Sequence, residues 1–147
     1  MRGLFITTTS IIGIVANPLA SVYTATKFAL EGWSEAMGYD LAAFGIQFKT
    51  VAPGGIRTNF GTTAMDAVLH EAYAPLLQRM TEGFSNGELM YFSEPDAIAQ
   101  VVYDAATDGK DQLRYTAGPD AVKAYALRQQ LGLEAHRKHI KQLYRLP

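Results

Sequence analysis

Two strand-like segments separated by one long helical segment constrain the fold of this chain most strongly. Residues 4–9, LFITTT, are apolar and β-branched, as is typical of a buried strand. Apolar residues recur at helical spacing from residue 21 to residue 44, and Gly45 supplies a helix stop. Residues 46–52, IQFKTVA, again have the pattern of a strand. Strand, helix and strand joined by short turns predict a βαβ unit, with parallel strands and a right-handed crossover.

The rest of the chain predicts further elements of the same α/β class. Residues 63–84 carry a mixed pattern that predicts one or two helices, and residues 93–109 predict a helix capped by Ser93. Residues 112–117 predict a third strand, and the basic tail from residue 120 onward predicts a helix. No repeat or linker interrupts this order, so we expect one unit with three strands and flanking helices.

Composition excludes several classes of function. The 147 residues are 48% hydrophobic and 18% charged, which favours a globular chain with a hydrophobic core. The net charge of −1 is too small to favour nucleic acid as the main partner. The absence of cysteine excludes disulfides, thiolate catalysis and cysteine–zinc sites.

Two local patterns have alternative interpretations. The start MRGLFITTTSIIGIVA is loosely similar to a signal peptide, but threonines and Ser10 interrupt its apolar run, which is also shorter than the ~18 residues of a membrane span. A cytoplasmic protein without a membrane segment is the favoured interpretation. His136 and His139 stand three apart in HRKH, yet no carboxylate joins them at helical spacing, so a solvated basic face is favoured over a metal site.

A tyrosine and a lysine stand one helical turn apart at the start of the long predicted helix. Tyr23 and Lys27 therefore share a face of that helix. Parallel sheets bind ligands beyond the carboxyl ends of their strands, where Ser10 follows the first strand and residues 53–58, PGGIRT, follow the second. We expect these residues to meet at one crevice.

This combination of side chains suits proton transfer. A free phenol has a pKa near 10, and an adjacent ammonium stabilises the phenolate and lowers that pKa. A hydroxyl such as that of Ser10 can hold a substrate oxygen, so the three groups together form a general acid/base for an alcohol–carbonyl pair. Taken alone, however, Tyr-x-x-x-Lys favours a packed tyrosine beside a solvated lysine.

The wider context resembles a known family. Ser10 lies thirteen residues before Tyr23, and TTTSIIG…P…YTATKFALEGWSEAM is similar to the active-site segment of the short-chain dehydrogenase/reductase family. GIQFKTVAPGGIRTNF resembles the next segment of that family, a strand that runs into Pro-Gly and a threonine. The resemblance extends from Gly3 to about Phe60 with every element in order, and it implies a Rossmann-type doubly wound parallel sheet.

The resemblance implies roles for individual residues. Tyr23 would give and take the proton, Lys27 would lower the pKa of Tyr23 and bind the nicotinamide ribose, and Ser10 would orient the substrate carbonyl. The loop after the second strand would border an NAD or NADP cofactor through Pro53, Gly54 and Ile56, with Thr58 hydrogen-bonded near its amide or pyrophosphate. No metal is implied.

The resemblance also implies limits. It covers the carboxyl-terminal half of the family's fold, so residues 1–147 would be a single partial domain, with residues 61–92 as substrate lid and residues 120–147 as helical tail. The family's glycine-rich turn, its NAD-or-NADP selector and its catalytic asparagine have no counterpart in this sequence. The alternative is a catalytically incompetent relic that serves as an α/β interaction module.

The expected substrate is a small alcohol or ketone, and the aromatic lid region favours a hydrophobic one. The helix at residues 21–44 implies a homo-oligomer, because the corresponding helix commonly pairs between subunits of the family. Trp33 and Met37 on this helix fit that interface and a plain core position equally well.

Overall fold

A three-stranded parallel sheet with helices on both sides forms the centre of the molecule. The computed structural model describes residues 3–63 and 70–147. In chain order the elements are β1 (Gly3–Thr8), a 3-10 turn (Ile11–Gly13), α1 (Ser21–Ala42), β2 (Ile46–Pro53), β3 (Gly55–Ile56), α2 (Phe60–Thr63), a second 3-10 turn (Glu71–Tyr73), α3 (Ala74–Ser85), β4 (Phe92–Ser93), α4 (Pro95–Thr107), β5 (Arg114–Ala117) and α5 (Pro119–Leu143).

The sheet has the order β1–β2–β5, and all three strands are parallel. Thr8 pairs with Val51, and Pro53 pairs with Ala117, so the carboxyl ends of the strands lie at the same edge. The α/β class, the three strands and the βαβ unit predicted from the sequence are therefore confirmed. Gly45 has a φ of +67°, the left-handed conformation that a glycine adopts readily where α1 turns into β2.

The central strand β2 supplies most of the core. Residues 48–53 are all buried, and Val51 forms an apolar cluster with Ala117 of β5 and with Ile98 and Ala105 of α4. A second cluster joins the first 3-10 turn to α5 through Ile11, Val15 and Ala121. The sheet is thus covered on one side by α4, while α5 packs against the turn that follows β1.

The buried face of α1 differs from the apolar face that the sequence predicts. Its two buried residues are Glu31 and Ser34, whereas Phe28 is exposed and Trp33 is 51% exposed. The Trp33 ring still contacts Phe48 of β2 edge-on, with 5.8 Å between ring centroids. Polar residues are buried here because the strands present threonines to α1, and these threonines hydrogen-bond Glu31 and Ser34.

The predicted cap of α4 is wrong. Ser93 belongs to β4, and Glu94 occupies the N-cap position of α4 without a capping hydrogen bond from its side chain. β4 pairs in parallel with β3, with Ile56 opposite Ser93, so these two short strands form a second, separate sheet. Two-residue strands are too short for a periodic pattern, which is why the sequence did not predict them.

The sequence predicts that His136 and His139 lie on a solvated face of the helical tail, but His136 is buried. α5 includes Gly132 with non-helical angles (φ +73°, ψ 178°), so its two halves are separate helical segments. His136 in the second half is buried, which lowers its pKa, and the charges of Arg128 and His139 add to this effect. None of the helices in the described ranges is long and apolar enough to cross a membrane.

A buried lysine of β2 forms hydrogen bonds with the carboxyl-terminal end of α4. The Lys49 ammonium donates to Ala105 O and to Asp108 Oδ1, both at 2.8 Å, and Lys49 is 2% exposed. The Tyr115 hydroxyl donates to the other carboxylate oxygen of Asp108 at 2.8 Å. The hydrogen bond from Lys49, with others from Lys110 and Tyr115, holds the pKa of the Asp108 carboxyl well below its usual range.

We expect this carboxylate to make stability depend on acid pH. A pKa lowered by folding stabilises the native state above the unfolded value of about 4, and that contribution is lost as pH falls below it. Urea unfolding of the full-length protein between pH 2.5 and 6 should therefore show a shallower pH dependence for Asp108→Asn than for the wild type. Asp104→Asn, which removes an exposed carboxylate from the same helix, is the matched control. Equal slopes for all three proteins would contradict this assignment.

Candidate active site

The predicted site residues lie at or beside the carboxyl edge of the sheet. β1 ends at Thr8 and β2 at Pro53, and Ser10 and Gly54 follow these two ends. The Thr9 amide donates to Val51 O at 2.8 Å, which keeps the segment before Ser10 against β2 after regular pairing has stopped. The topology therefore places the Ser10 segment and the loop after Pro53 at the same edge.

Tyr23 and Lys27 lie together on the first two turns of α1. The Lys27 Nζ atom is 5.6 Å from the centroid of the Tyr23 ring, and both residues are half-buried. The Tyr23 ring also lies 6.1 Å from the ring of Phe60, the first residue of α2. Lys27 Nζ makes neither a hydrogen bond nor an ion pair with any residue in the described ranges, so its donors remain available.

Ser10 begins the 3-10 turn that connects β1 to α1. Its hydroxyl oxygen accepts a hydrogen bond from the Ile12 amide at 3.2 Å, as an N-cap does. Gly13 in this turn packs directly on α1, because a β-carbon at Gly13 would lie 2.8 Å from Lys27 O. The turn that carries Ser10 is therefore in backbone contact with the helix that carries Lys27.

The loop after β2 has both buried and exposed residues. Pro53 is buried at the end of β2, and the Gly54 amide donates to Ala117 O at 2.9 Å. Ile56 packs against the apolar cluster around Val51, so part of its side chain belongs to the core. Thr58 is exposed, and its hydroxyl accepts from the Phe60 amide at 3.3 Å.

The structure places Tyr23 and Lys27 side by side and brings the segments that carry Ser10 and Thr58 near them. Tyr23 and Lys27 are neighbours, the turn after Ser10 contacts α1 at Lys27, and Tyr23 approaches the segment after Thr58 through Phe60. Within the described ranges, no hydrogen bond joins the side chains of Ser10, Tyr23 and Lys27. Of the predicted lid at residues 61–92, residues 64–69 lie outside the described residues.

One buried carboxylate that the sequence interpretation missed supports this edge. Glu31 is 4% exposed and accepts hydrogen bonds from Thr9 Oγ1 at 2.5 Å, Thr50 Oγ1 at 3.1 Å and Arg114 Nε at 2.9 Å. It therefore joins α1 to β2, to β5 and to the residue that follows β1. The available signal was its spacing, because Glu31 follows Lys27 by four residues and lies on the same face of α1.

Arg114 extends this contact to the surface. Its Nη2 atom donates to Glu35 Oε2 at 2.5 Å, and Glu35 in turn accepts from the hydroxyl of Tyr39 at 2.9 Å. A cavity of about 320 Å³ lies beside Glu31 and Arg114, and its lining includes neither Tyr23 nor Lys27. This cavity is therefore separate from the predicted acid/base pair.

Similarity to known proteins agrees with the fold. Residues 1–68 match the family model described as short chain dehydrogenase. An uncharacterized oxidoreductase of Schizosaccharomyces pombe is 34% identical over 143 residues, which are 95% of this chain and 60% of that protein. The matched family segment contains the predicted residues Ser10, Tyr23, Lys27 and Thr58.

Solved structures show the same architecture. A short-chain dehydrogenase from Streptomyces avermitilis superposes with a TM-score of 0.70 and 25% identity, covering 97% of this chain and 50% of that one. A short-chain dehydrogenase from Burkholderia cenocepacia, solved in complex with NADP, superposes with a TM-score of 0.66 and 19% identity, covering 99% of this chain and 48% of that one. The family-model match, the oxidoreductase relative and these structures support a partial short-chain dehydrogenase/reductase fold for this chain, which spans about half the length of these relatives.

Proposed function

We propose that the full-length protein carrying this chain is an NAD(P)-dependent oxidoreductase that interconverts a carbonyl compound and a secondary alcohol. The observation that carries the proposal is the Tyr23–Lys27 pair. Its phenol and ammonium lie 5.6 Å apart, measured from Nζ to the ring centroid, on the helix that follows β1. A phenol beside an ammonium is suited to proton transfer at a substrate oxygen.

The residues at this edge fit a nicotinamide cofactor. Lys27 has donors for ribose hydroxyls that no residue in the described ranges uses, and Thr58 presents an exposed hydroxyl. The loop that contains Pro53, Gly54 and Ile56 follows β2 at the same edge of the sheet, where it can border the flat ring of the cofactor. When bound, the nicotinamide supplies or accepts the hydride. Whether NAD or NADP is used depends on a selector residue for which this chain has no counterpart.

The chain's own residues then handle the proton and orient the substrate. In reduction, the Tyr23 hydroxyl donates its proton to the substrate carbonyl oxygen, and in oxidation the phenolate takes the proton back. The Lys27 ammonium stabilises the phenolate by its charge. The Ser10 hydroxyl donates to the substrate oxygen and fixes its position, after releasing the Ile12 amide or while still accepting from it.

The remaining assignments extend this proposal to the whole protein. Residues 1–147 act as one partial domain, residues 61–92 cover a small and preferably hydrophobic alcohol or ketone, and residues 120–147 form the helical tail. The exposed Val22, Trp33 and Tyr39 support α1 as the surface through which two subunits pair. The protein is assigned to the cytoplasm.

Cofactor binding tests the proposal directly. NADH and NADPH, added separately at about 100 times Kd, should stabilise the full-length protein by about 2.7 kcal/mol, which is a rise in Tm of several degrees. Lys27→Met should reduce the rise, whereas Lys138→Met, which removes an exposed lysine of α5, should leave it unchanged.

The same titration separates the proposal from its rival. The rival is a non-catalytic α/β interaction module that retains Ser10, Tyr23 and Lys27 without binding a cofactor. A melting temperature that stays constant with both nucleotides would favour this module and overturn the oxidoreductase assignment.

A further inference from the structure

The Pro-Gly loop after β2 is held by three segments that are distant in sequence. The Gly54 amide donates to Ala117 O, the last residue of β5, at 2.9 Å. The Arg57 amide donates to Ser93 O of β4 at 2.9 Å. Between these two bonds, the Gly55 amide donates to Oδ2 of Asp120 at 2.8 Å, which is the only one of the three that reaches a side chain.

Asp120 lies on the first turn of α5 and reaches back 65 residues to this loop. Its carboxylate packs against the loop so closely that a β-carbon on Gly54 would lie 2.1 Å from Oδ1 and 2.2 Å from Oδ2. Any other residue at position 54 would require the Asp120 carboxylate to move. The residue type at position 54 and the position of this carboxylate are therefore coupled.

The second oxygen of the Asp120 carboxylate, Oδ1, is buried near the hydroxyl of Ser93. Oδ1 of Asp120 and Oγ of Ser93 are both buried, and neither has a hydrogen-bond partner in the described ranges. Both lie 3.0 Å from the point where a β-carbon on Gly118 would stand, and Gly118 has a φ of +98°. Among the described residues, this carboxylate therefore accepts a hydrogen bond through Oδ2 alone.

We propose that Asp120 is a positioning residue that sets the conformation of the Pro53–Gly54–Gly55 loop, and through it the affinity for the nicotinamide cofactor. This role rests on the proposed function, because the loop acts on a cofactor only if one binds. Asp120 acts through the Gly55 amide and touches no reacting atom. Its loss should change binding of the cofactor and leave the proton-transfer groups Tyr23 and Lys27 in place.

The expected results differ between two substitutions. Asp120→Ala leaves the Gly55 amide without its acceptor and should raise the Kd and KM for the nucleotide about tenfold, with kcat within about twofold. Asp120→Asn should restore most of the affinity, because its amide oxygen can accept from Gly55 while its NH₂ group replaces the unpartnered Oδ1 beside Ser93. Asp104→Asn on α4 is the control and should change neither constant.

The contact of the Asp120 carboxylate with Gly54 and Gly55 is called the clamp below. Two measurements test the clamp without any cofactor. Hydrogen exchange at the Gly55 amide should be about tenfold faster in Asp120→Ala than in the wild type, because the substitution removes the hydrogen bond that protects this amide. Gly54→Ala should lower Tm in the wild-type background and lower it less in the Asp120→Ala background, because the second substitution removes the atoms that clash.

The outcomes separate this inference from the function on which it rests. If the wild type binds neither NADH nor NADPH, the proposed function fails, and hydrogen exchange and the double-mutant cycle still decide whether the clamp exists. If the wild type binds nucleotide and Asp120→Ala binds it equally well, the positioning role is overturned. Additive effects of Gly54→Ala and Asp120→Ala on Tm would overturn the clamp itself.

Discussion

Tyr23→Phe is expected to lower kcat of the full-length protein by about 10²- to 10⁴-fold, the range that a general acid/base contributes. The substitution removes only the hydroxyl. The ring remains available for its contacts with Phe60 and with the ammonium of Lys27. Turnover should therefore fall while Tm and the Kd for NADH or NADPH stay close to their wild-type values.

A second tyrosine on α1 provides the matched control. Tyr39 is 73% exposed, and its hydroxyl donates to Glu35 Oε1 at 2.9 Å. Tyr39→Phe makes the same chemical change on the same helix, four turns from Tyr23, and should leave kcat within about twofold of the wild type. Full activity in Tyr23→Phe would remove the phenol from the mechanism, and an equal loss in both variants would indicate a general effect on α1.

The βαβ unit is predictable because each of its elements is encoded by neighbouring residues. β-branched and apolar runs determine β1 and β2, helical spacing determines α1, and Gly45 marks the turn between them. The predicted ends differ from the observed ends by one or two residues, where the local pattern weakens. Parallel pairing then follows from the length of the crossover.

The site is predictable in part for a similar reason. Tyr23 and Lys27 are one turn apart in any helix, so their proximity follows from sequence spacing and the structure shows it. The catalytic roles of Ser10, Tyr23 and Lys27 stay a prediction until the variants are measured. Contacts between distant segments cannot be predicted from the spacing of neighbouring residues. The hydrogen bond between Asp120 and Gly55, which are 65 residues apart, is an example.

Glu31 shows why the buried face of α1 could not be predicted. A glutamate on a helix that also carries Phe28 and Trp33 is normally placed on the solvent side. Here its carboxylate is buried because Thr9 after β1, Thr50 of β2 and Arg114, which is 83 residues away in sequence, supply its hydrogen bonds. Burial of a charge is tolerated only where such partners converge, and the sequence does not show that they do.

Glu31→Ala is therefore expected to destabilise the full-length protein by about 3–5 kcal/mol, the cost of removing one partner from a buried ion pair. The substitution leaves the hydroxyls of Thr9 and Thr50 buried without their acceptor and removes one carboxylate from Arg114. Urea unfolding, with the free energy of unfolding extrapolated to water, measures this loss.

Glu35→Ala tests whether burial or charge causes the loss. Glu35 binds the same arginine, at 2.5 Å, but its side chain is 38% exposed, and water can replace the lost contact. We expect it to cost about 0.2–1 kcal/mol. Equal losses for Glu31→Ala and Glu35→Ala would show that pairing with Arg114, rather than the threonine contacts inside the sheet, determines the stability. A larger loss for Glu31→Ala would instead show that Glu31 makes the main stabilising contact between α1 and the sheet. Because Glu31 lies one turn after Lys27 on the same helix face, that contact would also hold the acid/base pair in position.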